Sequence, residues 1–240
     1  MDNVIILHND YIAGFSEKYD ANLHQHPILE IYIACEGNGR VRTDTEILEG
    51  RIIVIGAEAV HAIIDKGKSG LVVFVDPFSN IGFSIKENVL KDKEYATVCN
   101  KEIEEAVFSL KNNHSDTALH RVVNTITDNL IKEDVKRPYS ESVVKTIEIL
   151  CEEKEDFTME SIAERIHLSK SRLAHVFSQQ TGIPLKKYIQ FKRMERAFRQ
   201  MVEGASITDA AYETGFSGSS HIASSSRKLT GMQLRKLLNL

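Results

Sequence analysis

Residues 158–231 constrain this chain most, because they contain the same small device twice. In the first copy Ile162-Ala163 lies in a short amphipathic run ending at Leu168-Ser169. A second run then places Leu173 and Phe177 four apart and closes at Thr181-Gly182. In the second copy Ala210-Ala211, Phe216-Ser217, Ile222 and Thr230-Gly231 take the corresponding places. Each copy predicts two short helices joined by a tight turn, with Ser169 and Ser217 as N-caps whose side-chain oxygens satisfy orphan backbone N–H groups. That is a helix-turn-helix layout, and its repetition makes coincidence a poor explanation.

A chain of 240 residues suits two domains, each able to bury its own core. Its net charge of −4 hides an asymmetry. There are 15 basic against 22 acidic residues before Ser140, and 15 against 12 from there on. Between Arg165 and Arg199 Glu195 is the sole acid, beside Lys170, Arg172, Lys186, Lys187, Lys192, Arg193 and Arg196. A basic run is ordinarily a solvated helix face; coinciding with a helix-turn-helix, it reads as a surface for phosphates. No apolar run approaches the roughly 18 residues needed to span a bilayer, so no membrane role is expected. Cys35, Cys99 and Cys151 have no metal or redox spacing and read as reduced thiols of a cytoplasmic protein.

The expected architecture is α+β and multidomain. Short β-branched runs at 28–34, 51–55 and 71–75 are separated by Gly- and Asp-containing turns, which predicts a small barrel or sandwich over about residues 1–95. From about residue 101 to 132 the period becomes helical. Ile103, Val107 and Leu110 form one stripe, and Leu119, Val122, Val123, Ile126 and Leu130 another. These close a first domain at 1–133. The polar, Pro138-containing stretch 134–140 is the expected linker, and 141–240 an all-helical domain. Its parts are a first helix-turn-helix at 158–182, a linking helix at 184–202 and a second helix-turn-helix at 206–231. A linking helix of that length spans roughly 28 Å, close to the roughly 34 Å between successive major-groove windows on one side of B-DNA.

Ile162-Ala163, Ser169 through Phe177, Thr181-Gly182, Tyr188, Arg193, Ala197 and Ala211 through Phe216 together resemble the DNA-binding domain of the AraC/XylS family of bacterial transcription regulators. The resemblance covers about the last 100 residues. It implies binding to double-stranded DNA and, usually, activation of transcription through RNA polymerase. It places Lys170, Ser171, Arg172, Ala174 and His175 of the first recognition helix at the groove. Lys192 and Arg193 follow on the linking helix, and Ser219, Ser220, His221 and Ser224 on the second recognition helix. Two departures stand out: Ser226 replaces an aromatic that the family keeps in the second unit, and Leu234 replaces its proline. A serine at a core position predicts a looser second unit. Since the second recognition helix has no arginine among these positions, the first unit is expected to carry most sequence discrimination.

A second constellation comprises His24, His26, Glu30, Gly37, Gly50 and His61. Its spacing resembles the two cupin motifs, with Gly56 and Glu58 where that family usually has proline and glycine. Many AraC-type regulators carry a cupin-like barrel as sensor, so the resemblance implies a small-molecule effector there. His24, His26, Glu30 and His61 could instead hold a divalent transition metal such as Zn²⁺, Fe²⁺ or Mn²⁺, although no cofactor is required. Against this, Leu29, Ile31 and Ile33 make an equally good buried face, which would turn Glu30 and Tyr32 outward. Leu119, Val122, Val123, Ile126 and Leu130 either cover the barrel or form the seam of a homodimer, as family sensor domains suggest. A ligand-independent regulator acting through protein contacts is the alternative function, and a metal-dependent cupin enzyme a remoter one. Twin helix-turn-helix units have no use in an enzyme, so no catalytic residues are assigned.

Overall fold

The computed structural model describes residues 4–16, 21–65, 68–113, 115–130, 138–152 and 158–238, with only the backbone described at Glu152, Lys236 and Leu237. The chain divides into two compact units within the stretch 131–137. Most of the expected linker, 134–137, lies outside the described residues.

The first unit contains strands β1 (Val4–Leu7), β2 (Tyr11–Ser16), β3 (Leu29–Ala34), β4 (Gly39–Arg42), β5 (Ile47–Gly50), β6 (Ile52–Ile55), β7 (Ala62–Ile63), β8 (Gly70–Val75) and β9 (Tyr95–Val98). They form a six-stranded antiparallel sheet in the order β1-β2-β8-β3-β6-β9 and a three-stranded sheet in the order β5-β4-β7. The chain passes from the small sheet to the large one at Arg51, between Gly50 and Ile52. The sequence predicts a cupin-like barrel; among the described residues the two sheets share no ladder, so no closed barrel forms.

Strand β3 resolves the competition between its two candidate faces, because both are buried. Leu29, Ile31 and Ile33 pack with Val54, Val73 and the apolar stripes of helices α2 (Lys101–Ser109) and α3 (Asp116–Leu130). Tyr32 and Ala34 pack on the other side with Val41, Ile53 and Ile63. Pairing β3 with β8 and β6 in antiparallel register aligns Ile31 with both Val73 and Val54, which keeps each face apolar along the centre of the sheet. Glu30 shares the Tyr32 face and is 2% exposed. Helix α1 (Asn80–Ser84) and a π-helical turn at Ile85–Leu90 complete the unit.

The proposed dimer seam is corrected here. Leu119, Val122, Val123, Ile126 and Leu130 are all buried within the unit's own core in a single copy of the chain. Each contributes about 1.5–3 kcal/mol by that burial. Withdrawing them to meet a second copy would forfeit it. Asp116, Thr117, His120, Arg121, Asn124 and Asp128 of α3 face solvent.

The second unit is helical: α4 (Glu141–Glu152), α5 (Met159–Arg165), α6 (Lys170–Thr181), α7 (Leu185–Val202), α8 (Ile207–Glu213), α9 (Ser219–Thr230) and α10 (Leu234–Leu238). Phe177 of α6 and Tyr188 of α7, both fully buried, stack with ring centroids 6.0 Å apart. Farther along, α7 supplies Met194, Ala197 and Met201 to a second cluster with Ala210, Ala211, Phe216, Ile222, Leu229 and Leu234. Leu234, which stands in place of a proline, fills this cluster at the start of α10.

Candidate nucleic-acid interface and an interior histidine cluster

The first helix-turn-helix is α5 and α6. Thr158 opens it with a capping box: its hydroxyl accepts from Ser161 N, while Thr158 N donates to the Ser161 hydroxyl. The turn places His167 at φ 57, a left-handed conformation costly for a side chain, and Leu168 N donates to Ala163 O. Ser169 then caps α6, accepting from Arg172 N at 3.2 Å as the sequence predicts. Helix α6 buries Leu173, Phe177 and Thr181, exposes Lys170, Ser171, Arg172 and His175, and half-buries Ala174. Lys170 is ion-paired with Glu160 at 2.6 Å; among the described residues Arg172 has no carboxylate partner.

In the second helix-turn-helix, α8 and α9, Gly215 takes the left-handed position at φ 78 and Phe216 N donates to Ala211 O. From there the copies diverge by one residue. Gly218, not Ser217, starts α9, since its carbonyl accepts from Ile222 N. The predicted cap at Ser217 is therefore corrected. Its backbone N–H instead donates to His221 Nδ1 at 3.2 Å, which fixes the proton of the neutral ring on Nε2. His221 also stands edge-on to Phe216, centroids 5.2 Å apart, so an exposed N–H donor is held in place. Ser219, Ser220 and Ser224 are exposed beside it, and Ser226 is fully buried at the core position.

Lys192 must be removed from the predicted DNA-facing set. It is 5% exposed and donates to Glu195 at 2.6 Å, while Arg199 donates to the other carboxylate oxygen at 2.7 Å. Burial works to raise the Glu195 pKa, but Lys192 and Arg199 outweigh it and hold the carboxyl below its usual range. The spacing of Lys192, Glu195 and Arg199 along α7 carried this signal in the sequence. Arg193 is half-buried on the same helix.

In the first unit, the segment carrying His24 and His26 runs antiparallel to that carrying His61. His24 and His61 exchange both backbone hydrogen bonds at 2.9 Å, and Glu58 N donates to His26 O. Glu58 sits at φ 64, which accounts for the glycine that the cupin pattern prefers there. One ligand atom from each of His24, His26, Glu30 and His61 lies within 4.8 Å of every other. His26 Nε2 and His61 Nε2 both lie 2.9 Å from Glu30 Oε2. Each imidazole Nδ1 faces a main-chain carbonyl: His24 that of Asn22, His26 that of Ile28, and His61 that of Ala59. A carbonyl only accepts, so each Nδ1 carries a proton, and each neutral ring keeps its lone pair on Nε2.

The centre of the cluster therefore gathers acceptors and calls for positive charge. Burial works to lower the His61 pKa, but Glu30 outweighs it and raises it. Burial also opposes ionisation of Glu30, yet His61 and His26 hold that carboxyl well below its ordinary range. His24 is pushed down to about 4 by burial and by its histidine neighbours. Three convergent imidazoles and one carboxylate with fixed tautomers fit a divalent transition metal.

Residues 162–239 match a helix-turn-helix domain family. A 105-residue stretch, 43% of this chain, is 30% identical to the uncharacterized HTH-type transcriptional regulator YbfI of Bacillus subtilis (strain 168); it spans 38% of that relative. Crystal structures of ToxT from Vibrio cholerae share the fold. One at 1.65 Å resolution gives a TM-score of 0.57 at 14% identity, covering 96% of this chain and 98% of that one. The apo form of a ToxT point variant gives 0.60 at 10% identity, covering 96% and 97%. Among the described residues no helix is long and apolar enough to cross a membrane. Residues 162–239 are thus similar to a helix-turn-helix domain, and the chain as a whole shares the ToxT fold, in which a sheet-rich N-terminal unit is followed in sequence by a helical unit.

Proposed function

We propose that the chain is a sequence-specific regulator of transcription, acting as an activator on double-stranded DNA in the cytoplasm through contacts with RNA polymerase. Residues 141–240 bind DNA, and a small molecule bound to the N-terminal unit is the signal. The observation carrying this reading is the pair of helix-turn-helix units whose second helices present Arg172, His175, Ser219, Ser220 and His221 to solvent. The 18-residue α7 between the units spans about 27 Å, commensurate with one turn of B-DNA. A small-molecule signal is supported by ToxT structures bound to an unsaturated fatty acid and to (E)-4-(8-methylnaphthalen-1-yl)but-3-enoic acid. A homodimer would use a face other than the α3 core stripe. Titrating the full chain onto promoter fragments tests the reading. Saturable binding that weakens steeply with salt is expected, and no binding at low salt would sink it.

The convergent imidazoles favour a second reading of the N-terminal site, in which His24, His26, Glu30 and His61 hold Zn²⁺, Fe²⁺ or Mn²⁺. The ion would supply the positive charge that Glu30 faces and leave a coordination position for an effector oxygen. Elemental analysis of the purified chain would then find stoichiometric metal, lost on His24→Ala/His61→Ala. A chain without metal in both forms would leave the cluster as a polar effector pocket.

A further inference from the structure

The second recognition helix borders a groove of about 490 Å³, formed by the exposed face of α9 and the start of α10. Ser220, Ser224 and Arg227 follow one another along α9 at helical spacing, and Arg235 faces them from α10. The apolar members are Ile207, Ala223 and Leu234. No carboxylate lines the groove. Both arginines are exposed, and neither has a carboxylate partner among the described residues, whereas Lys170, Lys192 and Arg199 are all paired with glutamates.

Such a groove joins two guanidiniums and a row of hydroxyl donors to an apolar patch. Phosphodiester oxygens match the former, and the face of a deoxyribose matches the latter. We infer that this groove receives the sugar–phosphate backbone of the DNA duplex, with Arg227 and Arg235 clamping a phosphate between them. The inference rests on the DNA-binding reading above and assigns the second unit an anchoring task that is independent of base sequence.

The test uses the full chain and two probes: a duplex that it selects from a random pool, and poly(dI-dC). Arg227→Ala/Arg235→Ala should weaken binding to both probes by a similar factor, roughly tenfold at low salt. It should also reduce the slope of log K against log salt by about 1, the loss of one neutralised phosphate. Arg227→Lys/Arg235→Lys should restore most of the slope, and circular dichroism should show all variants folded. An unchanged slope in the alanine variant, while wild type binds, would overturn the clamp and leave the DNA-binding reading intact. A loss confined to the selected duplex would make these arginines base readers and equally overturn it. Failure of wild type to bind either probe would overturn both.

Discussion

The two helix-turn-helix units share a frame and differ in nearly everything they present. Both turn on one left-handed residue followed by a backbone bond from an apolar residue's N–H, Leu168 to Ala163 and Phe216 to Ala211. The first uses His167 at that position, caps α6 with Ser169 and fills its core with Phe177. The second uses Gly215, starts α9 one residue later at Gly218 and buries Ser226. Cationic groups stand at the leading end of α6, at Lys170 and Arg172, but at the trailing end of α9, at Arg227 and Lys228. Main-chain bonding preserves the scaffold while the surface chemistry diverges, and the proposed division between base reading and backbone anchoring rests on that divergence.

The largest expected effect is on DNA discrimination. Arg172→Ala should cost about 1–3 kcal/mol of preference for the selected duplex over competitor, read by competition anisotropy. Ser219→Ala and Ser220→Ala should cost less, and the opposite ranking would break the division of labour. Next come the turns. Gly215→Val forces a β-branched residue into the left-handed region and should destabilise the helical unit by about 1–2 kcal/mol in urea unfolding. The mirror change, His167→Gly, should shift stability by no more than about 1 kcal/mol, because relief of strain is offset by a more flexible unfolded chain. Smallest is the capping contrast. Ser169→Ala should cost about 1 kcal/mol, and Ser217→Ala, which caps nothing, only a few tenths. Equal costs would mean that the two turns are built alike.

Several features were legible early because their causes are local. Ser169 announces a cap, Leu173 and Phe177 a buried helical stripe, and the repeat of Ala163 as Ala211 a second copy. The extra residue before α9 was also present, since Leu168 pairs with Phe216 but Leu173 with Ile222, one place farther on. That slip is what moves the start of α9 from Ser217 to Gly218. Lys192 belongs to the basic run by charge but to Glu195, three residues away, by contact.

The sequence by itself determined the two-part organisation, the duplicated helix-turn-helix and the set of His24, His26, Glu30 and His61, since periodicity, capping and spacing act over a few residues. Only the tertiary structure decided that β3 is covered on both faces, that the α3 stripe serves its own core, and that His26 and His61 set their Nε2 atoms against the Glu30 carboxylate with His24 close by. Each depends on which distant segment lies opposite, here α2 and α3 on one face of β3 and the β5-β4-β7 sheet on the other. Burial is a property of both surfaces in a contact, and a strand's own residues specify one of them.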